Sequence, residues 1–372
     1  MRIAQIAPLT EAIPPKLYGG TERVVSWLTE ELLELGHDVT LFASGDSVTE
    51  ARLEPMWPRA LRLDDSVRDP MALHISMLEH VRRRASEFDI LHFHLDYFPF
   101  SVFSRQSTPF VTTMHGRLDL QEHQTVFNAF AEVPVVSISN AQRGPVPQAH
   151  WLRTVYHGLP ADLLRPRAVK ADYLAFLGRI APEKALDRAI RIAVRCNLPL
   201  KIAAKVDRVD RDYFEREIRP LLSLPGIEYI GEIGDGDKSG FLSGALALLM
   251  PIDWPEPFGL VMIEAMACGT PVIAYRSGSV PEVIEDGLTG FIVDSEAEAA
   301  AAIDNHVRLL SRQEIRTRFE TRFTARRMAS EYVEIYRELI AAARHPLRTV
   351  NGAAKPTHRR QNGIDGGLYM GE

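Results

Sequence analysis

Glu256 and Glu264 bracket the segment of this sequence best suited to hold a charged small molecule. The run Glu256-Pro257-Phe258-Gly259-Leu260 leads into an apolar stretch that reads as a helix, ended by Gly269 and Pro271. Glu264 then falls in the second helical turn and Glu256 in the loop before it. The amides of Gly259 and Leu260 are among the N–H groups that a helix start leaves without intrahelical partners. One segment therefore offers an anion-binding terminus between two carboxylates. Carboxylates beside a diphosphate repel it, unless they serve to accept hydrogen bonds from sugar hydroxyls on either side. The plainer alternative has both acids exposed and favouring the helix dipole.

Cations suited to a phosphate come from Gly178-Arg179-Ile180-Ala181-Pro182-Glu183-Lys184. Arg offers a planar fork and Lys a compact point charge. Two solvated surface cations are the competing reading. A third segment, Tyr18-Gly19-Gly20-Thr21-Glu22, precedes a helix. Its glycines would let backbone approach a ligand closely, and the helix start behind them would attract an anion. It lacks the spacing of a dinucleotide fingerprint and of a Walker loop. Taken alone it is equally a plain loop capped by Thr21.

Other residues say less. His92 and His94 share a strand face, with Asp96 after them, but no third ligand at convincing spacing follows, so no metal site is expected. His94 and Asp96 are placed instead on the acceptor side of a cleft. Asp235-Gly236-Asp237 reads as turn chemistry, and Arg82-Arg83-Arg84 as a solvated helix face.

These residues need elements to position them. Ile3 to Pro8 reads as a strand, Thr21 to Leu35 as a helix stopped by Gly36, and Val39 to Ala43 as the next strand. Helix 71–87 and strands at 90–93, 110–114 and 133–138 follow. A Gly- and Pro-bearing linker sits at 156–160. The alternation then restarts, with strands near 173–177, 200–204, 227–230, 245–250, 271–274 and 290–293. Helices are expected at 183–196 and 211–223, and a long one over 311–343. Strands alternating with helices imply two parallel sheets, each covered on both faces. Ligands of such sheets bind beyond the carboxyl ends of the strands, so two facing sheets make a deep cleft.

Composition bounds the rest. The 372 residues suit two domains, and 46% hydrophobic with 25% charged content is ordinary for a globular protein. A formal charge of −6 argues against wholesale nucleic-acid binding. Two isolated cysteines, Cys196 and Cys268, read as reduced core residues. The short apolar run at the N-terminus is no signal-peptide core, and no stretch approaches the ~20 apolar residues of a membrane span. A cytoplasmic location is expected, with peripheral membrane contact left open.

The three segments, with Gly287-Leu288-Thr289-Gly290-Phe291, resemble glycosyltransferase family 4 over roughly residues 1–340. Any one motif is weak, but four in order are specific. The resemblance implies a retaining enzyme of α/β class with the GT-B fold, two Rossmann-like domains facing across a cleft. The boundaries expected are 1–158 for the acceptor side and 159–323 for the donor side. A helix at 324–344 would pack back on the first domain, and 345–372 would form a disordered tail. The substrate implied is a nucleoside-diphosphate sugar, passing a hexose-type sugar to an acceptor hydroxyl without cofactor or metal. By position, Arg179 and Lys184 would neutralise the diphosphate, Gly19 and Gly20 would approach it, and Glu264 would hold the ribose. Glu256 and the amides of Phe258, Gly259 and Leu260 would hold the transferred sugar, with His115 beside it. Two departures stand out. Ser277-Gly278-Ser279 replaces a two-glycine turn, and His157-Gly158 stands where Asn-Gly is more usual. The competing functions are an epimerase or phosphorylase on the same fold, and a non-catalytic sugar-nucleotide-binding protein.

Overall fold

The computed structural model describes residues 1–16 and 19–344. Tyr18 and the tail expected over 345–372 lie outside the described residues. The chain forms two all-parallel sheets in sequence order. The first contains β1 (Arg2–Ile6), β2 (Asp38–Ser44), β3 (Arg52–Trp57), β4 (Ile90–Phe93), β5 (Phe110–Thr113), β6 (Pro134–Ser137) and β7 (His150–Thr154). Their spatial order is β3-β2-β1-β4-β5-β6-β7. The second contains β8 (Tyr173–Arg179), β9 (Leu200–Lys205), β10 (Ile227–Gly231), β11 (Ala245–Met250), β12 (Val272–Tyr275) and β13 (Gly290–Val293), ordered β10-β9-β8-β11-β12-β13. Both sheets grow outward in two directions from their first strand, so each has a switch point beside it, β1/β4 and β8/β11. This is the GT-B architecture.

Central strands are buried on both faces, which is why they read as apolar runs: all six residues of β11 are buried. β3 and β7 escaped the sequence reading because they are sheet edges. They are half-exposed, β3 carries Pro55, and neither shows such a run.

Four expected elements differ in detail. The 183–196 helix is a single turn, Pro182–Lys184, followed by a helix Leu186–Arg195, because Ala185 between them adopts φ +50°. The 211–223 helix loses its regular repeat around Pro220, which has no N–H to donate. Asp235-Gly236-Asp237 is not a turn but the first turn of a helix, Asp235–Ser243, where acids suit the dipole. The 311–343 region is two helices, Arg312–Arg322 and Ala325–Arg344.

That last break has a cause in the linker. Leu159 N–H donates to Phe323 O (3.0 Å) and Ala325 N–H to Leu159 O (2.9 Å). A Cβ on Gly158 would lie 2.2 Å from Thr324 O, so only glycine fits the crossing. Past it, the Ala325–Arg344 helix lies against the first domain, on the Gly20–Glu34 helix and β4. Arg153 of β7 holds Glu334 (2.6 Å) and Glu338 of that helix. Arg82, Arg83 and Arg84 pair with Glu79, Glu54 and Glu87 around their own helix. Cys196 and Cys268 are free thiols at helix C-caps.

Candidate active site in the interdomain cleft

A cavity of about 350 Å³ lies between the sheets, beyond the carboxyl ends of β8, β9 and β11. It brings together Gly19, Gly20, His115, Arg179, Lys184, Glu256, Phe258, Gly259, Leu260 and Glu264 around one space. The three segments come from opposite domains, so the sequence motifs converge only through the fold.

On the second-domain side, charge is dense and paired. Arg179 ends β8 and is held by Glu183 and Asp210, with Asp207 at 3.8 Å. Lys184 pairs with Glu256 and lies 4.9 Å above the Trp254 ring, whose Nε1–H donates to Glu256 (3.1 Å). The Leu260–Ala267 helix starts from Gly259 at φ +79°. A Cβ there would press on Met262, Met250 and Glu256, so glycine sets the entry angle. The helix-start amides thus lie beside Glu256 in the same cavity wall.

The Ser277-Gly278-Ser279 departure proves to be the scaffold of this loop. Ser277 Oγ–H donates to Trp254 O (2.6 Å), Ser279 N–H to Glu256 O (2.9 Å), and Ser279 Oγ–H to Phe258 O (2.8 Å). Gly278, at φ +54°, leaves no room for a Cβ, which would fall 2.3 Å from Glu256 O.

Glu264 is buried, and its partner is Lys238 at 2.6 Å, also buried. Lys238 reaches Asp235 (3.3 Å), and Asp235 reaches Arg23 of the first domain (2.5 Å). A line of alternating charge therefore joins the domains beside the cavity. Lys238 and Trp254 were missed in the sequence because no motif marks them. Lys238 lies 26 residues before the carboxylate it serves. The one available signal was the Asp-x-Asp-Lys run at a helix start. Across the cleft, the nearest atom to a Cβ built on Gly20 would be Leu260 Cδ1, at 3.7 Å.

Apart from Arg23, the first-domain side of the cavity is uncharged. His115 follows β5, and its Nε2 lies 2.8 Å from His94 Nδ1. Its ring stacks on His157, centroids 5.3 Å apart, and His157 packs against Phe258 at 4.9 Å. Burial lowers the pKa of His115 to about 3 and holds His92, His94 and His157 well below the usual range, so all four are neutral. His94, expected on the acceptor side, is buried and does not line the cavity. His92 of β4 pairs in register with Gln5 of β1, and it and His94, just past the strand end, are buried behind His115. Asp96 occupies a left-handed turn (φ +48°) outside the cavity wall; desolvation raises its pKa although the side chain reaches solvent. Among the described residues no group of three His, Cys, Asp or Glu is placed to hold a metal, and no helix is long and apolar enough to cross a membrane.

Comparison with known proteins identifies the family. Residues 18–169 match the family model described as Glycosyltransferase Family 4, and residues 165–326 match Glycosyl transferases group 1. The D-inositol 3-phosphate glycosyltransferase of Saccharomonospora viridis is 32% identical over 52% of this chain, which spans about half (51%) of that enzyme. The N-acetyl-alpha-D-glucosaminyl L-malate synthase of Bacillus anthracis is 23% identical over 87% of this chain and 94% of its own. Among solved structures, Anabaena HepE in complex with UDP-glucose superposes with a TM-score of 0.70 at 17% identity, covering 91% of this chain and all (100%) of that one.

Proposed function

The chain belongs to the family 4 glycosyltransferases, and we propose that it moves a hexose-type sugar from a nucleoside-diphosphate donor to an acceptor hydroxyl with retention of configuration. The observation that carries this reading is the meeting of Arg179, Lys184 and the Leu260–Ala267 helix start in one cavity, with Glu256 and Glu264 beside them. Breaking the anomeric bond builds positive charge on the sugar ring and negative charge on the leaving phosphate. Fixed cations and amides aimed at that phosphate stabilise the charge as it grows. A bound diphosphate would take the place of Glu256 on Lys184, freeing that carboxylate for the sugar hydroxyls. Glu264, held by Lys238, would take the ribose. Among the described residues no carboxylate stands apart as a nucleophile for double displacement, so same-face attack within an ion pair would account for retention, with the departing phosphate helping to deprotonate the acceptor.

The relatives support the donor class: HepE was crystallised with UDP-glucose. The test is a thermal-shift screen against nucleoside diphosphates and their sugars, since a ligand of the folded state raises the melting temperature by mass action. Donor hydrolysis and transfer assays then follow on the hits, with the product anomer read by NMR. A stabilising nucleoside diphosphate and an axial-to-axial or equatorial-to-equatorial product are expected. No shift with any nucleotide, or an inverted product, would overturn the reading.

A further inference from the structure

The buried network behind His115 has no part in the roles assigned so far. Gln5 lies on β1, in register with His92 of β4. Its Oε1 is 2.8 Å from His94 Nε2, and its Nε2 is 3.1 Å from the Tyr336 hydroxyl. Tyr336 lies 2.6 Å from His92 Nδ1, and His92 Nε2 lies 2.7 Å from Thr113 Oγ1, which Tyr332 meets at 2.8 Å. Both tyrosines belong to the Ala325–Arg344 helix that crosses from the second domain. All six side chains are fully buried or nearly so.

We propose that Gln5 is a positioning residue that sets the tautomer of His115, leaving its Nδ1 as a bare acceptor at the cleft wall. A neutral imidazole carries one N–H. An amide oxygen can only accept, so His94 Nε2 carries that ring's proton and donates it to Gln5. His94 Nδ1 is then a lone pair, and the only bond it can make to His115 is to accept from Nε2–H. His115 has spent its proton, and Nδ1 is left unprotonated. That atom is buried and has no hydrogen-bond partner, an unmet acceptor in a ring that lines the cavity. It cannot give a hydrogen bond, and it takes one from a hydroxyl only when the side chains around it open to the cleft. Neutrality of the rings, on which the chain of logic depends, follows from their burial.

The crossing helix enters this logic as the anchor of Gln5. An amide can turn over and exchange oxygen for nitrogen, which would reverse every proton in the chain. The Tyr336 hydroxyl, which can donate or accept, holds the amide in place, and the proposal takes the amide with Nε2 towards Tyr336 and Oε1 towards His94. The identity of the hydroxyl that meets Nδ1 rests on the transferase reading; the tautomer does not.

The experiment is a long-range ¹H–¹⁵N correlation spectrum of the full chain labelled at histidine, which separates protonated from bare ring nitrogens without any substrate. The wild type is expected to show His115 with a bare Nδ1. Gln5→Leu is expected to give a mixture of tautomers at His115, with kcat lowered about tenfold, one hydrogen bond's worth of positioning, and donor KM changed far less. Tyr336→Phe, which keeps Gln5, is expected to move both readouts the same way by less, and decides the matter if Gln5→Leu does not fold. A protonated Nδ1 in the wild type overturns the proposal. So does a tautomer unmoved in both variants. A correct tautomer in a protein that transfers no sugar would instead overturn the transferase reading.

Discussion

On the second-domain wall of the cleft, Arg179, Lys184 and Lys238 each rest on at least one carboxylate. On the first-domain wall stand His115 and His157, backed by His94 and His92, four neutral histidines tied together by side-chain bonds and ring contacts. The charged wall can exchange partners: a phosphate that displaces Glu256 from Lys184 replaces one ion pair with another at modest cost. The neutral wall cannot, because every broken bond there leaves a buried polar atom unmet. The pairing of an exchangeable wall with a fixed one suits a reaction in which a charged group arrives and leaves while a reacting centre must stay in place.

The sharpest way to break this comparison is to remove the charges. Arg179→Ala and Lys184→Ala are each expected to slow transfer by roughly 10²–10³-fold, as for loss of an oxyanion donor. Both side chains are partly exposed, so circular dichroism should report an intact fold. Near wild-type rates in both would mean the charged wall does not bind the leaving group.

The two carboxylates should then fail differently. Glu256→Ala is expected to lower kcat, because ring charge develops beside it. Glu264→Ala is expected to raise the donor KM, through loss of charge-assisted hydrogen bonds worth about 1.5–3 kcal/mol. It should also cost stability, up to about 3 kcal/mol, since it leaves Lys238 buried with Asp235 as its remaining ion-pair partner. Urea titration alongside steady-state kinetics reads both effects. Equal kinetic defects in the two variants would dissolve the distinction between sugar and ribose ends.

The two walls also differ in how far they could be read in advance. Glu256, Gly259, Leu260 and Glu264 lie within nine residues, on a helix start that periodicity and terminators define, so their chemistry is local and legible. The fixed wall draws Gln5, His92, His94, His115, His157, Tyr332 and Tyr336 from seven places, the ends 331 residues apart. Only the β1/β4 register and the returning helix join them. A histidine after a strand carries no sign of which neighbour it will meet. Arg179 and Lys184 were legible as cations, but the Arg179 partners Asp207 and Asp210 were not, because those sit beyond the end of β9.

Acid should weaken the fixed wall. In the unfolded chain each histidine titrates near 6.5, while in the fold His115 does so at about 3 and its three neighbours well below 6.5. Between those values the unfolded state binds more protons, so stability falls as pH falls, from near pH 6.5 downward. Each histidine adds about 1.4 kcal/mol per pH unit. Urea midpoints at pH 7.5, 6.5 and 5.5 measure the slope. His157→Asn should reduce it by one histidine's share, and a flat profile would mean these rings are not held neutral.

The smallest effect expected is from metal removal, and it tests whether the fixed wall has been understood. Four histidines in contact are a composition that commonly holds zinc. Their nitrogens do not converge here. Both nitrogens of His92 and both of His94 are spent on Tyr336, Thr113, His115 and Gln5, and His115 spends Nε2 on His94. The three left over, His115 Nδ1 and both nitrogens of His157, make no metal site, since no candidate set of three His, Cys, Asp or Glu exists among the described residues. The leaving phosphate would meet Arg179 and Lys184 where a divalent ion might otherwise serve. Dialysis against a chelator is therefore expected to leave both the transfer rate and the melting temperature unchanged, and added zinc should not raise the latter. Activity lost to the chelator and restored by Mg²⁺ or Mn²⁺ would place an ion on the charged wall. A zinc-dependent rise in melting temperature would mean instead that the histidine network opens to bind metal, and that its hydrogen bonds are not the fixed framework described.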